Sequence, residues 1–226
     1  MNKIAKTPEH QNVYELLRDR ILLGKFVPGQ PLTIMGLAGD LSVGMTPVRE
    51  ALRRLAAEKA VTMLANRRIV VPERSIEDIE DIYFLRFTVE SELAARAAKC
   101  ISSKQLDALV KIDASIDLTL EQGDVEAYLE GNNQFHFMIY ESANAPLLFH
   151  VAQSLWIQIG PSLRIVFGRF GTANLPDKHS EVLSALGAAD SAAAALAMRG
   201  DLQQSLSLVR SPALEKYDQK KVASLC

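Results

Sequence analysis

Four small groups of residues have types and spacings that could do chemistry. Thr46, Arg49 and Arg53 recur at steps of three and four, with Arg54 adjacent; a threonine and guanidinium stripe of this kind suits phosphates and the edges of guanine. Asn66, Arg67 and Arg68 make a second polar, basic group. Arg86 and Glu90, four apart, interrupt an apolar seam, where a guanidinium is costly unless carboxylates or other acceptors meet it. Asn132 and His136, again four apart, together with His179 and Asp201 bring nitrogen and oxygen donors onto three otherwise apolar helical stripes. Such donors on facing helices are how a helical bundle assembles a divalent metal site.

The elements that must hold these groups follow from periodicity and breakers. Val13, Leu16, Leu17, Ile21 and Leu22 predict an amphipathic helix over about 11–23, ended by the Gly and Pro of GKFVPGQ. A short helix over about 34–41 follows, with Thr33 as its N-cap, and GDLSVGM then turns the chain. TPVREALRRLAAEKA predicts a third helix, capped by Thr46 with Pro47 at its first position, that buries Val48, Ala51, Leu52 and Leu55. VTML and IVV, joined by Ala65-Asn66-Arg67-Arg68, predict a hairpin. Three helices and a basic hairpin make a winged helix-turn-helix, in which the third helix enters the DNA major groove with Arg49 and Arg53 as its reading residues.

From Ser75 onward the pattern is helical throughout, so the chain reads as mainly α: a winged helix-turn-helix over 1–72, an all-α bundle of about six or seven helices over 73–212, and a polar tail over 213–226. A helix over about 76–99 aligns Ile79, Tyr83, Leu93 and Ala97 with Arg86 and Glu90. Helices over about 124–142, 177–186 and 190–209 carry Asn132 and His136, His179, and Asp201 respectively. Each polar group has a plainer alternative. The arginines after Pro47 could be a solvated helix face, and Arg86 with Glu90 could be a self-satisfying i, i+4 pair instead of a bidentate clamp on a small carboxylate. The histidines could be hydrogen-bonded core residues, and Asp201 could have a solvent-facing partner. His10 and His150 read as ordinary residues, and Trp156 and Phe149 as core or subunit-contact residues.

Composition narrows the classes. With 226 residues, 48% hydrophobic and 23% charged, the chain is globular and long enough to bury roughly 70% of its unfolded surface. Its net charge of -2 hides an asymmetry: residues 1–72 hold 11 Lys/Arg against 6 Asp/Glu, and 73–226 hold 14 against 21. A basic small module on an acidic larger one predicts a polyanion partner for the first alone. Two cysteines, Cys100 and Cys226, make no disulfide framework. No stretch approaches the ~18 apolar residues of a membrane span, and the N-terminus lacks a leader-like apolar run, so a cytoplasmic protein is expected.

The stretch GKFVPGQPLTIMGLAGDLSVGMTPVREALRRLAAEKAV resembles the DNA-binding domain of GntR-family bacterial transcription regulators, and the TPVREAL element is its most specific part. Gly44 and Met45 replace the family's usual Ser-Arg pair, and Arg68 stands where a wing-tip glycine is usual. LRFTVESELAARAA, NQFH and KHSEVLSALGAADSAAAALAMRGDL resemble the ligand-sensing FCD domain of the FadR-type subgroup. That resemblance implies a divalent metal, zinc, nickel or manganese, at Asn132, His136, His179 and Asp201. Here Asn132 replaces an aspartate and Asp201 a third histidine. It implies further a homodimer, double-stranded operator DNA as partner, and a small organic acid effector bound near Arg86 and Glu90 that alters operator affinity, most simply as a repressor. A metal-dependent enzyme acting on a small carboxylic acid is the alternative, although no HExxH, P-loop or GxSxG element accompanies it.

Overall fold

The computed structural model describes residues 9–170 and 178–210. The polar tail, Cys226 and Asp177, at the expected start of one helix, lie outside them. The first helix, α1 (Glu9–Leu22), buries Val13, Leu17 and Ile21. After β1 (Pro31–Leu32) comes α2 (Ile34–Leu41), where Thr33 Oγ1 accepts the Gly36 N–H at 3.1 Å as a cap. Ser42 closes α2 in the left-handed region, φ 54°.

α3 (Met45–Ala57) then buries Val48, Ala51, Leu52 and Leu55 against α1, as the periodicity requires. Its start corrects one expectation. Gly44, in extended backbone, occupies the cap position without a side-chain bond, and Thr46 lies inside the helix. Pro47 is still tolerated because it sits in the first turn, whose N–H groups have no intrahelical acceptor.

β2 (Thr62–Met63) and β3 (Ile69–Val70) form the hairpin, shorter than the VTML and IVV runs. β1 pairs on the other edge of β3, with Leu32 opposite Ile69, giving the order β1-β3-β2. A two-residue strand offers no period, so β1 left no trace in the sequence pattern.

Six helices follow among the described residues: α4 (Ile76–Cys100), α5 (Ser103–Gln122), α6 (Val125–Ser142), α7 (Pro146–Phe170), α8 (Lys178–Gly187) and α9 (Ser191–Val209). Capping boxes at Ser75/Asp78 and Ser102/Gln105 start α4 and α5, and Asp124 and Asp190 cap α6 and α9. The seam of α4, Ile79, Tyr83, Arg86, Glu90, Leu93 and Ala97, is buried as the spacing predicts. Among the described residues no helix is long and apolar enough to cross a membrane.

The winged module is packed onto the bundle through α1 and α7. At Gly160 of α7 a Cβ would stand 2.2 Å from the Leu22 carbonyl oxygen, so only glycine permits this approach. Lys25 pairs with Glu126 of α6, and Arg74 donates to the Lys59 carbonyl and, at 3.2 Å, to Gln158 of α7.

Candidate effector cavity and nucleic-acid interface

The bundle encloses a cavity of about 30 Å³, room for about two water molecules, whose wall includes Arg86, Tyr128, Asn132, His136, Trp156 and Asp201. α4, α6, α7 and α9 each place a polar side chain there because each carries polar residues in an inward-facing row. Arg86 and Glu90 do form the internal pair: Arg86 Nε donates to Glu90 Oε1 at 2.6 Å and Nη2 to Oε2 at 3.2 Å, at exposures of 2% and 0%. Glu90 also accepts from Tyr140 O–H and, at 3.1 Å, from Trp156 Nε1. Its carboxylate is fully engaged, and it is not among the residues lining the cavity. Arg86 is different. Its Nη1 is buried with no hydrogen-bond partner, while its guanidinium lies 4.7 Å from the Trp156 ring and 4.9 Å from the Tyr83 ring. Burial pushes the Arg86 pKa down, but Glu90 beside it outweighs that and holds the cation. The self-satisfying pair is therefore realised, with one guanidinium nitrogen left without a partner.

His136, His179 and Asp201 come together, with ligating atoms all within 4.8 Å of one another. The single proton of the Tyr140 hydroxyl is directed to Glu90, so its oxygen accepts from His136 Nδ1 at 3.0 Å. His136 Nε2 then carries a lone pair, 3.4 Å from Asp201 Oδ2. Asp113 of α5 bonds His179 Nδ1 at 2.8 Å, which leaves its Nε2 facing Asp201 Oδ1 at 3.9 Å. Phe135, stacked on the His179 ring at 4.1 Å, fixes its plane. Burial first, then His179 and Arg86, hold the His136 pKa well below that of a free imidazole. Burial raises that of Asp201, against the pull of His179 and Arg86. His136 Nε2, His179 Nε2 and the Asp201 carboxylate thus face one another, a donor set that fits a divalent cation, with Tyr140 and Asp113 orienting the two rings from behind. Asn132 lines the same cavity.

Spacing had singled out His136, His179 and Asp201. It missed Asp113, Tyr140 and Phe135, which the sequence shows only as members of ordinary helical rows, and the hydrogen-bonding role of Trp156. His150 sits at the edge of a separate groove between α1, α3 and α7.

On the winged module, Thr46, Arg49 and Arg53 are exposed on α3, with Arg53 Nη1 bonded to Glu50 at 3.1 Å. Asn66, Arg67 and Arg68 are exposed at the hairpin tip. Arg54 is turned the other way: its guanidinium lies 3.6 Å over the Tyr14 ring and meets Glu58 and Gln11. The bundle leaves Arg49 and Arg53 uncovered.

A family model described as bacterial regulatory proteins, gntR family, matches residues 9–71, and one described as the FCD domain matches residues 81–204. The chain belongs to the GntR family and carries an FCD domain. Among curated relatives, the HTH-type transcriptional regulator McbR of Escherichia coli strain K12 is 28% identical over 85% of this chain and 89% of its own. The HTH-type transcriptional repressor RspR of the same strain is 26% identical over 93% of each chain. The solved structure of E. coli McbR/YncC superposes with a TM-score of 0.85 at 26% identity, covering 94% of this chain and all of that one. A putative GntR regulator from Rhodococcus sp. RHA1 shares the fold, with a TM-score of 0.73 at 23% identity.

This GntR-family chain is thus a DNA-binding transcription regulator with a ligand-binding helical domain, not an enzyme.

Proposed function

We propose that the protein binds operator DNA as a homodimer and represses, and that a small organic acid, held together with a divalent metal in the helical cavity, alters its grip. Arg49 and Arg53, with Thr46 and Pro47 at the start of α3, would meet base edges and phosphates in the major groove. Asn66, Arg67 and Arg68 would act from the wing, while Arg54 supports α3 by stacking on Tyr14 of α1. Zinc, nickel and manganese all suit two imidazoles and a carboxylate. The observation that carries the reading is the buried, unpartnered Nη1 of Arg86 in the wall of a cavity also lined by His136 and Asp201, two of the three converging ligands. A carboxylate spanning the two would satisfy the guanidinium and complete the metal's coordination.

The cavity's size supplies the coupling. Space for about two waters is too small for an organic acid, so entry must part its walls. α7 gives Trp156, Leu163 and Phe167 to those walls and Gly160 to the contact with α1, so a displaced α7 moves the winged module. An effector that prefers the displaced form shifts DNA affinity by its differential binding, commonly ~1–3 kcal/mol.

The test uses the full chain in two assays. Added zinc, nickel or manganese should raise its melting temperature, and His136→Ala or Asp201→Ala should abolish the rise; a wild-type chain that melts identically with all three ions overturns the metal site. Arg49→Ala should weaken binding to a duplex taken from upstream of the protein's own gene while leaving the melting temperature unchanged. Equal affinity of this variant and wild type overturns the groove-facing role.

A further inference from the structure

A groove of about 210 Å³ lies between α1 and α3 of the winged module and α7 of the bundle, seven times the 30 Å³ of the helical cavity. Most of the charged groups in its wall satisfy one another. Glu58 accepts the Tyr14 hydroxyl at 2.7 Å and meets Arg54 Nε at 3.4 Å. Arg54 Nη1 donates to Gln11 at 2.9 Å, and Gln11 Nε2 donates to Glu15 Oε1 at 2.6 Å. Arg18 is the exception. Its side chain is 16% exposed and makes no hydrogen bond among the described residues, and the carboxylate oxygen facing it, Asp19 Oδ1, stands off at 3.9 Å. Its Nη2 is buried without a partner.

On the facing side of α7, His150, Gln153 and Ser154 share one face at steps of three and four, and their side chains make no hydrogen bond among the described residues. Glu15, exposed in the same wall, bonds Gln11 through one carboxylate oxygen and has the other free. A buried guanidinium nitrogen without an acceptor is costly, and a ligand oxygen is what would satisfy it. A bare oxyanion would meet Glu15 and Glu58 as well as Arg18 and Arg54, two charges of each sign. A wall balanced in this way suits a ligand that itself carries one charge of each sign. We propose that the groove binds a free α-amino acid: Arg18, with Gln153 and Ser154, holds its carboxylate, and Glu15 holds its ammonium group. The position between two domains is one that small-molecule sites favour. Bonded to α1 and α7 at once, the amino acid fixes the winged module against the bundle. This site is separate from the helical cavity and does not depend on the metal or the organic acid proposed there.

The experiment melts the full chain, in metal-free buffer, with each standard amino acid in turn and with acetate, succinate and phosphate as anions that lack an ammonium group. At least one amino acid should raise the melting temperature, by about 3–6 °C at about ten times its Kd, and the three anions should not. Arg18→Met should abolish the rise and, without ligand, melt no lower than wild type, because the guanidinium it removes has no hydrogen bond to lose. Glu15→Gln, at an exposed position, should weaken the same amino acid about tenfold or more. Asp201→Ala, in the helical cavity, should keep the rise. The inference is overturned if no amino acid acts, if the anions act equally, or if the rise survives in Arg18→Met. Loss of the rise in Asp201→Ala assigns it to the helical cavity and overturns the inference too, and an Arg18→Met chain that melts well below wild type makes Arg18 a structural residue and does the same.

Discussion

Removal of the Glu90 carboxylate is expected to be the most damaging polar substitution in the bundle. Glu90 is fully buried and accepts from Arg86 twice, from Tyr140 and from Trp156. Glu90→Ala strands a buried guanidinium, which costs about 3–5 kcal/mol, and leaves two neutral donors unmet at about 1 kcal/mol each. We therefore expect a loss of about 5–7 kcal/mol, a fall in melting temperature of about 10–28 °C for a chain of this size. Arg86→Met should cost about 3–5 kcal/mol by stranding the carboxylate instead. The double substitution Arg86→Met with Glu90→Leu removes both charges and should cost only about 2 kcal/mol, less than either single change. Trp156 is the sole tryptophan and bonds Glu90 directly, so its fluorescence during urea unfolding, at one fixed protein concentration, reports the cluster itself. Single costs that simply add in the double variant, or a Glu90→Ala cost below about 1 kcal/mol, would refute the buried-pair account.

Three further outcomes follow from contacts elsewhere. Gly160→Ala should cost about 2–4 kcal/mol, because its Cβ meets the Leu22 backbone, whereas Gly39→Ala, exposed within α2 with nothing near, should gain about 0.5–1 kcal/mol; urea melts of both decide this. Burial, then Glu58, pushes the Tyr14 hydroxyl from 10.0 up to about 12, so the folded form keeps a proton that the unfolded chain releases above pH 10. Stability should accordingly fall between about pH 10 and 12, by about 1 kcal/mol once solvent screening is allowed, and a Tyr14→Phe chain should lack that part of the fall. Arg54→Ala should lower stability by about 1 kcal/mol through the lost stacking on Tyr14, yet select the same DNA sites as wild type, which a library selection checks.

The sequence by itself determined the strongly patterned helices and most of what they bury, although it set no bounds for α5 or α7 and Leu16 of α1 is exposed. The periodicity that buries Val48, Leu52 and Leu55 necessarily turns Arg49 and Arg53 outward, so the exposed guanidinium face was legible from one strongly patterned helix. The same logic put Arg86, Glu90, His136 and His179 inside, since a residue in register with an apolar row shares its burial. Where the pattern was silent, local geometry decided. α3 starts at Met45 because Gly44 takes the extended conformation, and β1 exists only because β3 offers it an edge.

Only the tertiary structure decided what the buried polar groups do. Asp113 and His179 lie 66 positions apart, and Glu90 and Trp156 likewise. No spacing rule reaches that far, because periodicity assigns a face to each helix but not the partner opposite it. That pairing satisfies Glu90 completely and leaves one Arg86 nitrogen without a partner. The physical reason is that desolvation acts on every inward residue alike, whereas hydrogen bonds depend on which atoms the packed helices bring within about 3 Å.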